Sequence, residues 1–204
     1  MDDDDMAPPS VRLVRDFVNT YEPQVDEESI PSPHRLRDWL VVHGLADPGA
    51  VLGDGDVERA VRVREGLRSV LLDHAGHEPD PAALDALNRE LAASPVRLAF
   101  GPGGHRLEAV GASPFEAALG RLLDAVRQAS EDGTWPRLKV CARDTCRWAF
   151  YDASRNQARR WCSMAGCGNH VKMKRAYAVR RQRATLGAEP TDAPSAEGAR
   201  SVTS

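Results

Sequence analysis

Four cysteines are the residues of this 204-residue chain whose type and spacing point to chemistry. They form two pairs of the same C-x4-C spacing, Cys141 with Cys146 and Cys162 with Cys167, and fifteen residues separate the pairs. Zinc takes four soft thiolates tetrahedrally, and each short loop can fold back to offer two sulfurs to one ion. The pattern therefore predicts one structural Zn2+ held by Cys141, Cys146, Cys162 and Cys167. Two disulfides are a competing use of the same residues, but nothing marks the chain as secreted. A reactive redox pair is a third, and it lacks the C-x-x-C that favours it.

The elements around the thiols fit a zinc site. Arg147-Trp148-Ala149-Phe150-Tyr151-Asp152 is rich in strand formers and runs into the turn residues Asp152 and Ser154, which predicts a β-hairpin between the pairs. Past Gly166 the chain reads as helical. A thiolate at Cys167, in the first turn, would meet free N–H groups and the positive end of the helix dipole. Knuckle, hairpin, then a helix carrying the last ligand is the order of a treble-clef finger. On a helix over residues 168–184, Met173 and Tyr177 share a face expected to pack on the hairpin. Lys172, Arg175 and Arg183 lie opposite, flanked by Lys174 and Arg181. Arg155, Arg159 and Arg160 could reach phosphates from the loop before Cys162.

Cys146-Arg-Trp-Ala-Phe-Tyr-Asp-Ala-Ser-Arg-Asn followed by Arg159-Arg-Trp-Cys-Ser-Met-Ala-Gly-Cys167-Gly-Asn169 resembles the CGNR-type zinc finger of bacterial regulators, over roughly residues 139–182. Proteins of that family carry an N-terminal module called the ABATE domain. The resemblance implies a treble-clef finger, DNA binding and a role in transcription regulation. Where the family has arginine after Cys-Gly-Asn, this chain has His170, which leaves the metal ligands intact.

Charge is distributed unevenly. The net charge of −3 hides a segment, residues 137–184, with thirteen Lys/Arg against two Asp/Glu, net +11, on a remainder of −14. Four thiolates and one Zn2+ would lower the basic segment to about +9. A basic module on an acidic body points to a polyanion partner for that module alone. No signal-peptide pattern and no apolar run near eighteen residues is seen, so a cytoplasmic protein without membrane contact is expected.

The rest of the chain predicts an α+β, predominantly helical domain over residues 11–134 with a small β-hairpin. Disordered ends are expected at residues 1–10 and 185–204. Helices are read over residues 11–22, from Ser32 or Pro33 to Val42, over 57–75, from Pro81 to about Leu91, and from Ser113 to about Ser130. A Pro-rich loop spans 23–33. Two strands flank Gly101-Pro-Gly-Gly104, which lacks the Lys-Ser/Thr of a phosphate loop. Trp39 reads as core. Trp135-Pro136 marks the passage into the finger. The Asp16–Thr20 string, Asp-Phe-Val-Asn-Thr, resembles the start of the ABATE domain, as more loosely do the Arg35–Leu40, Val57–Leu72 and Leu84–Leu91 segments.

No catalytic constellation is visible, and a non-enzyme is expected. Asp73, His74 and His77 suggest either a second metal site or, more simply, solvated residues at a helix C-terminus. Asp16, Asn19 and Arg64, polar residues beside apolar helix faces, are expected to line a ligand pocket or to brace neighbouring backbone. The leading reading is a DNA-binding transcription regulator whose body binds a small-molecule effector or forms a homodimer. An RNA-binding finger protein and a small-molecule enzyme with a structural zinc are the alternatives.

Overall fold

The computed structural model describes residues 6–102, 104–111 and 113–186, with backbone alone for residues 175 and 181–186. Contacts divide the chain into two units, one ending at Gly168 and the other starting at Asn169.

The first unit is helix-rich with small antiparallel hairpins. Helix α1 (Pro9–Val18) starts two residues ahead of expectation, because Pro9 occupies the first turn, where a missing N–H costs nothing. Ala7 and Ser10 are buried, so the disorder expected over residues 1–10 does not reach them; residues 1–5 lie outside the described residues. Val11, Val14, Phe17 and Val18 face inward. The helix ends at Asn19 rather than at residue 22. The expected loop instead makes a short ladder of β1 (Tyr21–Glu22) with β2 (Glu27–Glu28). Asp26, at φ 56°, closes that turn, and its carboxylate accepts the Tyr21 hydroxyl at 2.8 Å.

Helix α2 (Pro33–Val42) opens on Ser32, whose hydroxyl accepts the Arg35 N–H. Trp39 packs against Phe17 and stacks on His43, as a core aromatic does. Helix α3 (Asp54–His74) begins three residues before the expected Val57. The Asp56 carboxylate accepts the Gly53 N–H at 3.0 Å, and acids suit the positive end of the dipole. Its inward residues Ala60, Val63, Leu67 and Leu71 follow steps of three and four. Helix α4 (Pro81–Ala93), capped by Asp80, crosses α3 closely enough that a Cβ on Gly66 would stand 2.4 Å from the Leu87 Cβ.

Strands β3 (Val96–Gly101) and β4 (Gly104–Ala109) pair in the expected hairpin. Helix α5 (Pro114–Glu131) opens on the capping box of Ser113 and Glu116. Strand β4 rests on α5, where a Cβ on Gly120 would come within 2.9 Å of the Ala109 nitrogen.

The last hairpin differs from expectation. Strand β6 (Ala149–Tyr151) lies between the cysteine pairs, but its partner is β5 (Leu138–Val140), which precedes Cys141. The hairpin thus encloses the first cysteine pair. The reason is burial: Leu138, Val140, Ala149 and Tyr151 share one core with Val14, Leu71 and Leu119. Fully burying Leu138 and Val140 stabilises the pairing by roughly 1.5–3 kcal/mol each. The core therefore continues unbroken past residues 135–136.

The second unit is helix α6 (Asn169–Leu186). Met173 and Tyr177 are 73% and 70% exposed, against the expectation of a buried face. The helix has too few apolar residues to form a stripe: Met173 and Tyr177 share a side, but Val171 and Val179 point away from it at 100° per residue. Among the described residues no helix is long and apolar enough to cross a membrane. The tail expected to be disordered, residues 185–204, lies outside the described residues from 187 onward.

Candidate metal centre and the residues that hold it

The first cysteine pair sits in the loop of the β5–β6 hairpin. The Cys141 N–H donates to the Trp148 carbonyl at 2.9 Å and the Cys146 N–H to the Arg143 carbonyl at 2.9 Å. Arg147, directly after the second thiol, turns the chain at φ 51°. The second pair is brought alongside by the Ala142 N–H, which donates to the Arg160 carbonyl at 2.8 Å. Cys167 lies in a single π-helical turn, Met164–Gly168, immediately before α6 rather than in its first turn.

The four sulfurs lie within 4.8 Å of one another. Cys146 and Cys162 are 3.7 Å apart, and Cys162 and Cys167 are 3.8 Å apart. These separations exclude disulfides, whose sulfurs stand about 2.0 Å apart. They match the edge of a tetrahedron with bonds of about 2.3 Å, the zinc–thiolate length, which is about 3.8 Å. Without a cation the cluster is frustrated. Thiol hydrogen bonds from Cys146 and Cys162 hold Cys141 down to about 2. That anion in turn pushes Cys146 up to about 12 and raises Cys162. A dication removes this conflict, so the donor set fits a thiophilic metal ion. The Arg143 guanidinium, 3.9 Å from the Cys167 sulfur, adds positive charge nearby. Among the described residues no other group of His, Cys, Asp and Glu is placed to hold a metal. His74 instead donates from Nδ1 to the Leu138 carbonyl at 2.9 Å, and its ring meets Trp135 edge-on.

Behind the thiols, a set of polar contacts holds the hairpin to the helices. Asn19 acts as a brace: its amide donates to the Ala149 carbonyl at 2.9 Å, and its side-chain oxygen accepts the Ala149 N–H at 2.8 Å. Arg64 is also a brace, buried with its guanidinium on Glu28, Glu65 and the Thr20 hydroxyl and over the Tyr21 ring. Arg68, which sequence reasoning missed, reaches the carbonyls of Val18 at 2.6 Å, Tyr21 at 3.0 Å and Arg147 at 2.8 Å. Burial lowers its pKa below the usual arginine value, against the opposing pull of Glu65. The available signal was a cation one turn after Arg64, beside the apolar stripe of α3.

Asp152 is the second residue that sequence reasoning left in a minor role. It is completely buried and accepts from Lys139 Nζ at 2.9 Å, Ser154 Oγ at 2.6 Å, Ser154 N at 3.1 Å and Arg159 N at 3.0 Å. Burial alone would raise its pKa, but these donors outweigh burial and hold it low. The carboxylate folds the loop that leads from β6 to Cys162.

The remaining candidate residues scatter. Asp16 pairs with Arg15 at 2.8 Å and lines an open groove of about 520 Å³ with Arg12, His43 and Arg121. Asn19 and Arg64 do not line it, so the three do not form one pocket. Arg159 lies over the Phe150 ring at 4.9 Å and donates to the carbonyls of Trp161 and Cys162, which makes it part of the second knuckle's support. Arg155 and Arg160 are exposed, with Arg160 over the Trp161 ring. His170, Lys172 and Lys174 are exposed on α6; the side chains of Arg175, Arg181 and Arg183 lie outside the described residues.

Comparison with known families agrees with this geometry. Residues 11–145 match the ABATE family model, described as "Putative stress-induced transcription regulator". Residues 137–181 match the CGNR zinc finger. The two matches overlap on the hairpin that carries the first cysteine pair. No curated protein matches the chain. The chain belongs to the ABATE family and carries a CGNR zinc finger at the C-terminal end of that domain.

Proposed function

We propose that this protein is a transcription regulator that binds duplex DNA through its zinc-finger region. The observation that carries the reading is α6: Lys172, Lys174, Arg175, Arg180, Arg181 and Arg183 with no acidic residue over Asn169–Leu186. Such a helix gains counterion-release energy on a phosphate backbone, and its side chains can reach base edges in the major groove. Exposed Arg155 and Arg160 add cations in the loop before Cys162. Cys141, Cys146, Cys162 and Cys167 hold one structural Zn2+ in a treble-clef arrangement, so the metal's contribution is folding energy and not catalysis. The protein works by binding in the cytoplasm, and the groove beside Asp16 is where a small polar effector would act.

The test is fluorescence anisotropy with a labelled duplex across a salt series, on protein shown by metal analysis to hold one zinc per chain. Arg175→Ala/Arg183→Ala should weaken binding and shallow the salt slope by about 2 contacts. Unchanged affinity and slope would remove α6 from the interface, and preference for competitor RNA over duplex DNA would overturn the DNA reading.

A further inference from the structure

The two edges of the β3–β4 hairpin are treated differently. In the observed register Arg97, Ala99 and Gly101 of β3 face Glu108, Arg106 and Gly104 of β4. The Val110 N–H, donating to the Pro95 carbonyl at 2.9 Å, places the ladder bonds on these positions. His105 and Leu107 therefore direct their backbone groups away from β3. Those groups are occupied: the Leu107 N–H donates to the Asp124 carboxylate at 2.8 Å, and the His105 carbonyl accepts from Arg127 at 3.0 Å. On the other edge, Val96, Leu98 and Phe100 direct their N–H and carbonyl groups outward. No described residue bonds to them. Between Pro95 and Pro102 that edge bears no proline, bulge or inward charge, and its one charge, Arg97, is paired with Glu108 on β4. Its side chains are apolar and open, with Leu98 51% and Phe100 81% exposed.

We propose that the outer edge of β3 pairs with β3 of a second copy of this chain, joining two hairpins into a four-stranded antiparallel sheet. The strand is self-complementary about Leu98. A two-fold axis there sets Leu98 against Leu98 and Val96 against Phe100, and each of these pairs exchanges both backbone hydrogen bonds. Aromatic against β-branched is a favourable cross-strand pair. Charge agrees: Arg97 already meets Glu108 at 3.3 Å and would stand opposite Ala99 of the second copy, not another arginine. Leu98 and Phe100 project to the side of the hairpin that carries Leu107 and Ala109, the side covered by α5, so the pairing joins their apolar surfaces along the α5 side. The exposed side chains offer a few hundred Å² per copy, below the ~800 Å² per partner of a standard interface, so the dimer is weak and concentration-dependent.

Sedimentation velocity and hydrogen exchange on the full-length, zinc-loaded protein test this. The wild-type weight-average sedimentation coefficient should rise over roughly 1–100 µM. The amides of Val96, Leu98 and Phe100 should slow with it, while Ala99 and Gly101, already bonded within the hairpin, should not change. Leu98→Lys sets like charges across the axis and should weaken dimerisation at least about tenfold without loss of thermal stability. Phe100→Lys, at an exposed position that folding does not need, should do the same. A monomer at every concentration overturns the proposal. So does a dimer in which these three amides stay fast, or one that both variants leave intact. The outcome is independent of whether α6 binds DNA.

Discussion

The β5–β6 hairpin encloses the first cysteine pair and helix α6 follows the second, yet they are built on opposite principles. The hairpin buries both faces. One face lies in the helical core through Leu138, Val140, Ala149 and Tyr151, and the other holds Lys139 on Asp152 and Phe150 under Arg159. Asn19, Arg68 and His74 tie its backbone to the helices. Helix α6 has no apolar stripe, and its sequence carries six Lys/Arg and no acid. The first cysteine pair sits inside this strand ladder, while the second is reached only through the Asp152 loop and the Ala142–Arg160 bond, so we expect the second to depend more on a metal. A metal at this site would then set the order of the segment from Trp161 onward.

The sharpest way to break this asymmetry is Cys167→Ser. It should release the metal and lose order from Trp161 onward, while β5, β6 and the helices keep theirs, as read by zinc analysis and circular dichroism. Next, Arg68→Ala leaves the carbonyls of Val18, Tyr21 and Arg147 without their donor, at a cost of about 3 kcal/mol in urea unfolding. Asp152→Asn removes the charge that pairs the buried Lys139 ammonium, leaving it the Gln157 carbonyl, and should cost about 2 kcal/mol.

Asp152 also predicts a pH dependence. Its folded pKa lies below its unfolded value of about 3.9, so its ionised form stabilises the loop at neutral pH, and this stability is lost as pH falls through the folded pKa. The Asp152→Asn stability curve should accordingly be flatter than wild type below about pH 5. The smallest effect is Asn19→Ala, about 1–2 kcal/mol, since Ala149 loses one donor and one acceptor at a half-buried site.

The parts of the molecule legible in the sequence are those governed by local rules. The capping box at Ser113, Pro at the start of α2, α4 and α5, the β3–β4 strands and the paired cysteines all announce themselves within a few residues. What escaped is non-local. The partner of β6 lies before Cys141 because Leu138 and Val140 complete a core assembled from α1 and α3, and no short-range pattern reveals that. Arg68 reads as a surface cation until Val18 and Arg147, far away in sequence, supply its acceptors. The reading of α6 as amphipathic failed for a simpler reason: Met173 and Tyr177, one turn apart, suggest a stripe that the other apolar residues do not continue.

Hydrogen exchange with mass spectrometry on the full-length protein, zinc-loaded and after chelation, tests the asymmetry most directly. Peptides covering residues 138–140 and 149–151 should stay protected without metal, while those covering residues 161–186 should exchange at once. Loss of protection in both regions together, or in neither, would contradict it.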